Sequence, residues 1–267
     1  MKKFFITSDI HNDYDALISG LDKNGFDINN PDHILIVAGD IFDRGRDAVR
    51  LYEYLKELTD KKKAIVLAGN HDEFLIQFLE QKNLGLCYFN FRNNGTDKTI
   101  DDFLGQTLSW DTYVCMKYSA EEQFKMTQEE WNNVWAAFVR ESAEEINANY
   151  PELLQWIKSL PDYLELEHSI ITHGMIDESN GDWHNPLCGW KNLHWAKPNE
   201  SANFPNHTGK HIYVGHINSD MIRDIYRENG NGNKIYTRPS KDVTYLDSCS
   251  ILTHKLNFAV IEDNFIK

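Results

Sequence analysis

Five short segments of the chain carry residues that can hold a cation or move a proton. They read Ser8-Asp9-Ile10-His11, Gly39-Asp40-Ile41-Phe42-Asp43-Arg44-Gly45, Gly69-Asn70-His71-Asp72, His173-Gly174 and Gly215-His216. Asp9, His11, Asp40, Asn70, His173 and His216 offer carboxylate, imidazole and amide oxygen, and no thiolate. That donor set suits Mn, Fe or Zn and disfavours a soft-metal or structural zinc site. Six protein donors are too many for one ion that must keep a position open for water. They suit two ions about 3.5–4 Å apart that share one carboxylate, and Asp40 is the expected bridge. Glycines at 39, 45, 69, 174 and 215 suit tight turns and close backbone approach to such a centre.

A lone Asp-x-His or His-Gly has a plainer explanation, a surface carboxylate or a satisfied core histidine. The set gains weight from what precedes each block. Apolar, β-rich runs cover residues 4–7, 34–38, 64–68, 169–172 and 211–214, and two more cover 243–246 and 257–261. Most are continuously apolar, as strands buried on both faces are. Helical patterns lie between the first three, with Leu17, Ile18 and Leu21 on one face of 15–21. Leu51, Tyr52, Leu55 and Leu58 share a face in 47–58, and Leu75, Phe78 and Leu79 in 72–81. The N-terminal third therefore reads as βαβαβ with a parallel sheet, whose carboxyl strand ends are where ligands bind.

The middle differs. Residues 121–150 read as helix, with Thr127 and Glu130 as a capping box. Trp131, Val134, Trp135, Phe138 and Val139 form a stripe suited to packing rather than to a ligand. Pro151 is expected to open a further helix to residue 157. Residues of about 85–165 read as a mostly helical insertion. Residues of about 177–210 read as a long loop rich in Trp183, Trp190, Trp195, Pro186, Pro198 and Pro205. His184, His194 and His207 within it read as surface or packing residues.

The chain has 267 residues, 27 Lys plus Arg against 41 Asp plus Glu, and a net charge of −14. One domain spanning 1–267 can bury a full core at this length. The acidic balance argues against a nucleic-acid polymer as partner. A mean hydropathy of −0.54 without a long apolar run argues against a membrane span. The opening Met1-Lys2-Lys3 fails as a signal peptide because polar residues follow too soon. Cys87, Cys115, Cys188 and Cys249 are scattered without a CxxC, which suits reduced thiols in the cytoplasm.

Taken in order, the five blocks resemble the signature of the calcineurin-like metallophosphoesterases. The spacing of Asp9, Asp40 and Asn70 resembles the bacterial and phage serine/threonine protein-phosphatase branch. Asn94-Gly95 with Thr99, and Leu246-Asp247-Ser248, resemble further family segments. The resemblance implies an α/β fold, a four-layer αββα sandwich. It implies that Asp9, His11 and Asp40 hold one divalent ion, and Asp40, Asn70, His173 and His216 the other. Mn is the first expectation, with Fe and Zn as alternatives. Arg44 would grip the phosphoryl oxygens beside Asn70 and His71. His71 would be the general acid, with Asp43 orienting it and raising its pKa. Lys197, shortly after Trp195, would stand in for the family's second phosphate-binding Arg.

The implied reaction is in-line attack of metal-activated hydroxide on phosphorus, without a phosphoenzyme. The implied substrate is a phosphomonoester such as a phosphoprotein. The alternative is diadenosine tetraphosphate or another nucleotide polyphosphate, which Asp72 in place of the usual Glu favours. A non-catalytic scaffold is the third reading, opposed by the complete ligand set. Asn12, where Gly is frequent, should tolerate left-handed backbone. Cys249, also at a frequent Gly, reads as a packing change.

Overall fold

Strand β1 (Lys2–Thr7) is apolar along most of its length because neither of its faces meets water. The computed structural model, which describes residues 1–105, 109–178, 182–184 and 193–266, has nine strands among them. After β1 come β2 (His33–Ala38), β3 (Ala64–Leu67), β4 (Tyr163–Glu165), β5 (Ser169–Thr172), β6 (His211–Val214), β7 (Tyr236–Thr237), β8 (Val243–Tyr245) and β9 (Ala259–Asp263). The first sheet has the order β3-β2-β1-β9 and the second β4-β5-β6-β8-β7. Pairing is parallel at β1–β2, β2–β3, β5–β6 and β6–β8, and antiparallel at the three edge pairs.

Side chains alternate even where all are buried. Phe4, Ile6, Ile34, Ile36, Ala38 and Leu67 form one core with Leu166, Ile171 and Leu246 from the second sheet's side. Leu35, Val37 and Val66 point the other way, into helices. The second sheet turns Ile170, Ile212, Val214, Val243 and Tyr245 outward onto Met175, Ile176, Leu193, Ala202 and Ile222. The result is helix, sheet, sheet, helix, as the sequence predicts.

Helix α1 (Tyr14–Asn24) starts where the Asp13 carboxylate accepts from Ala16 N, and stops at left-handed Gly25. Helix α2 (Ala48–Asp60) follows β2. Helix α3 (Asn70–Leu79) starts two residues earlier than the apolar pattern indicates, with Gly69 as its N-cap. Asn70 and His71 therefore stand in its first turn, at the positive end of its dipole.

The middle of the chain is helical, as α4 (Leu84–Asn93), α5 (Thr96–Phe103), α6 (Trp110–Lys117), α7 (Ala120–Lys125), α8 (Gln128–Asn149) and α9 (Leu153–Lys158). The Thr127–Glu130 capping box opens α8. Val134, Trp135, Phe138 and Val139 are buried with Leu35, Val37 and Val66 in the core on the helical side of the first sheet, with Trp131 packed at its edge, so the stripe is packing surface. Three expectations need correction. Pro151 lies in a turn before α9, whose N-cap is Glu152. The helical stretch ends before residue 163, because residues 163–165 pair with β5 as strand β4. The stretch read as a loop over 177–210 contains a helix, Pro198–Asn203, and buries Trp183 and Leu193. Pro186, Cys188 and Trp190 lie outside the described residues. Cys87, Cys115 and Cys249 are free thiols. No helix among the described residues is long and apolar enough to cross a membrane.

Candidate metal centre

The strand ends are followed by turns in left-handed backbone. Asp9, His11 and Asn12 after β1, Asp40, Asp43 and Arg44 after β2, and His216 after β6 all have φ between 51° and 75°. Each such non-glycine residue costs about 1–3 kcal/mol and persists only where its surroundings hold it. Asn12 thus does what its type predicts. Cys249 also has a positive φ of 52°, so the residue fills a glycine-type backbone position and is not merely a packing change.

Asp72 supplies much of the restraint. Its buried carboxylate accepts from Gly69 N at 2.8 Å, Ile41 N at 3.0 Å and Asp40 N at 3.1 Å. It ties the ends of β2 and β3 together. Gly39 has a φ of 77°, and a Cβ there would stand 2.8 Å from the His173 ring and from Gly69 Cα.

These turns bring His11, Asp40, His173 and His216 into compact donor groups, which also take in His71 but not Asp9. His11 Nδ1 donates to Phe42 O, and His173 Nδ1 to Ala38 O, each at 2.9 Å. Both rings are thereby fixed with the Nε2 lone pair inward, the usual way a protein prepares a histidine ligand. His173 Nε2 then meets Asn70 Oδ1 at 3.0 Å and Asp40 Oδ1 at 3.2 Å. Three lone-pair atoms facing one another in a dry pocket are reconciled by a cation. His216 donates its N–H to the two Asp9 oxygens at 3.0 and 3.1 Å, and its ring stands edge-on to His173 with centroids 5.0 Å apart.

Two compact donor groups result: His11, Asp40 and His71, and Asp40, His173 and His216. Asp40 belongs to both, and its Oδ1 also accepts from His71 N at 3.0 Å. The oxygen and nitrogen donors fit two borderline divalent ions sharing a carboxylate. A further group, Glu167, His168 and Asp263, is mostly exposed, and its buried Asp263 already accepts from backbone N–H groups.

The proton-transfer candidates sit beside these donors. Arg44 Nη1 donates to His11 Nε2 and Nη2 to His71 Nε2, each at 3.0 Å. His71 Nδ1 lies 2.9 Å from Asp43 Oδ2. Thr96 and Thr99 donate their hydroxyls to Asp43 at 2.9 and 3.0 Å, and Thr99 Oγ1 also accepts from Asp43 N and Asn12 Nδ2. Thr99 stood in a segment already singled out in the sequence, whereas nothing marked Thr96. The expected rise in the His71 pKa is not present here. Burial and the Arg44 guanidinium push it down to about 3, while burial pushes Asp43 up to about 7. His71 is therefore neutral, donating through Nδ1 and accepting from Arg44 at Nε2.

A cleft of about 150 Å³ opens onto the centre, lined by Asp9, Asp40, Arg44, Asn70, His71 and His216, and by Phe74, Asn94 and Trp195. Lys197 is not part of it. Its exposed Nζ pairs with Glu200 at 3.3 Å at the start of the Pro198–Asn203 helix, and Trp195 is the residue of this stretch that reaches the cleft. Lys197→Ala should therefore change kcat/KM on any phosphoester by less than about twofold, a change in barrier of under about 0.4 kcal/mol. His194 is not a surface residue. It is 1% exposed and lies 2.6 Å from Glu73 and 3.1 Å from Asp162. Burial opposes its charge, but the two carboxylates prevail and raise it to about 9.

The electrostatics predict a pH effect on the protein stripped of divalent ions. Burial raises Asp9 and Asp40 well above the carboxylate range, with Asp247 and Asp40 adding for Asp9 and Asp72 for Asp40. It also lifts Asp72 to about 7 and Asp247 to about 6. Burial lowers His11, His71, His173 and His216. Below about pH 6.5 the two sets oppose one another. Above it the unfolded imidazoles are neutral as well, and the raised carboxyls make the folded state the one with more protons. Its stability should then fall as pH rises through about 7. Thermal melts of chelator-treated protein from pH 6.5 to 8.5 test this. A midpoint that stays constant or rises would contradict it.

The family model described as calcineurin-like phosphoesterase matches residues 2–232. A symmetrical bis(5'-nucleosyl)-tetraphosphatase of Buchnera aphidicola is 32% identical over 104 residues, 39% of this chain and 33% of that protein. An asymmetrical bis(5'-nucleosyl)-tetraphosphatase of Bacillus subtilis is 32% identical over 81 residues, 28% of this chain and 33% of that protein. The match thus spans about a third of the length of these curated relatives. Among solved structures, one provisionally described as a diadenosine tetraphosphatase superposes with a TM-score of 0.53 at 13% identity, covering 100% of this chain and 95% of that one. A cold-active protein-tyrosine phosphatase of a psychrophilic Shewanella has a TM-score of 0.53 at 17% identity, covering 98% and 76%. These two likenesses show the fold.

Proposed function

The chain belongs to the calcineurin-like phosphoesterase family, and from that premise we propose that it is a metal-dependent phosphoric ester hydrolase acting without a phosphoenzyme. The observation that carries the reading is the presence of Asp40 in both donor groups. Asp9, His11 and Asp40 would hold one ion, and Asp40, Asn70, His173 and His216 the other, with Mn first and Fe or Zn as alternatives. Divalent ions bound there acidify a water and offset charge on phosphoryl oxygens.

The chain's own groups do the rest. Arg44 lies at the open side of the cleft, and its planar fork suits two phosphoryl oxygens. Turning from the imidazoles to a phosphoryl group, it would free His71 Nε2 and remove the lesser of the two effects that lower His71, burial being the larger. His71 Nε2, which holds no proton while it accepts from Arg44, would take one up from solvent and pass it to the leaving oxygen, as a general acid must. Asp43, held by Thr96 and Thr99, steadies the charged ring through Nδ1.

The first substrate reading is a phosphomonoester, as in protein phosphatases. The second is a nucleotide polyphosphate, favoured by the names of the curated relatives. Rates on a phosphopeptide and on diadenosine tetraphosphate, each with Mn²⁺ and with chelator, decide between them. Faster metal-dependent cleavage of the phosphopeptide supports the first and the reverse order the second. Equal rates with and without chelator would overturn the metal-dependent reading.

A further inference from the structure

Four residues in one short stretch are pinned, yet one of them remains open to the cleft. Leu193 and Ala196 are 2% and 1% exposed in the core of the second sheet, and Leu193 O accepts from Gly174 N beside the ligand His173. His194 is buried between Glu73 on α3 and Asp162 before β4, so three separate segments are joined at one ring. Trp195 between them is 38% exposed and lines the cleft. Its ring lies 5.7 Å from Phe74 and 6.0 Å from His216, and Phe74 lies 4.9 Å from His71. The result is an aromatic wall that begins at the metal-ligand and proton-transfer histidines and ends at solvent.

We propose that Trp195 is the specificity-determining residue of the cleft, which with Phe74 receives a planar aromatic group attached next to the scissile phosphate. A nucleobase or an aryl ring presents such a face. The ion-paired His194 is the positioning residue that holds Trp195 in place. The proposal rests on the phosphoester reading above. An exposed indole backed by rigid neighbours loses little freedom when a second ring stacks on it, so the gain appears as affinity.

The test compares kcat/KM for phenyl phosphate and for glycerol phosphate in Mn²⁺-loaded wild type, Trp195→Ala, Trp195→Leu and Trp195→Phe. The aryl-to-alkyl ratio should fall about tenfold in the Ala and Leu variants and hold within about twofold in the Phe variant, through KM for the aryl ester. The Leu variant keeps apolar bulk should the Ala variant fail to fold. Calorimetry adds a readout without turnover: phenylphosphonate should bind wild type more tightly than methylphosphonate, and lose that advantage in Trp195→Leu. His194→Gln should lower the same ratio, and a variant that lowered kcat on both esters equally would point to a general structural role instead. A ratio unchanged in Trp195→Leu overturns the proposal, as does one that falls equally in Trp195→Phe. Wild type that cleaves neither these esters nor diadenosine tetraphosphate with Mn²⁺ overturns the phosphoester reading, and this inference with it.

Discussion

Asp40→Asn should lower kcat at least about a thousandfold, or about 4 kcal/mol of barrier. The amide keeps the shape of the side chain and an oxygen for His71 N, whose bond to Asp40 Oδ1 is 3.0 Å. It loses the charge that both donor groups share. Elemental analysis should find two divalent ions per chain in wild type and fewer in the variant. Burial already works against a charged Asp40, with Asp72 adding to the penalty. The variant freed of ions should therefore melt no lower than wild type freed of ions, which separates lost chemistry from lost folding. An Asn variant with two ions and near-native turnover would remove Asp40 as the bridge.

His71→Asn should lower turnover of an alkyl phosphoester about 10²- to 10⁴-fold, the range for losing a general acid. The loss should be far smaller on an aryl ester whose leaving oxygen needs no proton. That contrast tests the role better than the size of either loss, because a disturbed metal centre would slow both esters alike. It also bears on the neutral state of His71. Burial and the Arg44 guanidinium lower its pKa to about 3, so the ring must gain a proton at an Nε2 released by Arg44 before it can give one. Equal losses on the two esters would leave His71 as a support for the centre and not a proton donor.

The candidate ligands could be named from the sequence because each stands at or just beyond a strand end, and the strands are apolar on both faces. Strand runs and polar ends are local signals, and the strands at 169–172 and 211–214 fall where the runs place them. The pairing of β4 with β5 was not legible, since a three-residue edge strand carries no period of its own. Nor was the start of α3, because Asn70 and His71 face the site and interrupt the apolar pattern that marks the rest of the helix. Lys197 was misread by its distance from Trp195 along the chain. Whether its ammonium reaches the cleft depends on the Pro198–Asn203 helix and on Glu200, which take it elsewhere. The network of Thr96, Thr99 and Asn12 around Asp43 joins residues far apart in sequence, and such contacts leave no local trace.

Asp9, Asp40 and Asn70 come from the first sheet, and His173 and His216 from the second. Neither half of the sandwich therefore holds the whole candidate donor set. If the proposed centre is the working one, turnover would gauge how well the halves are mated: a small slip between them would lower it while most apolar contacts, and hence the melting point, stayed as they were. Substitutions in the greasy seam, at Ile36 or Ile171 for instance, belong to that class of change, felt first at a distance and in rate.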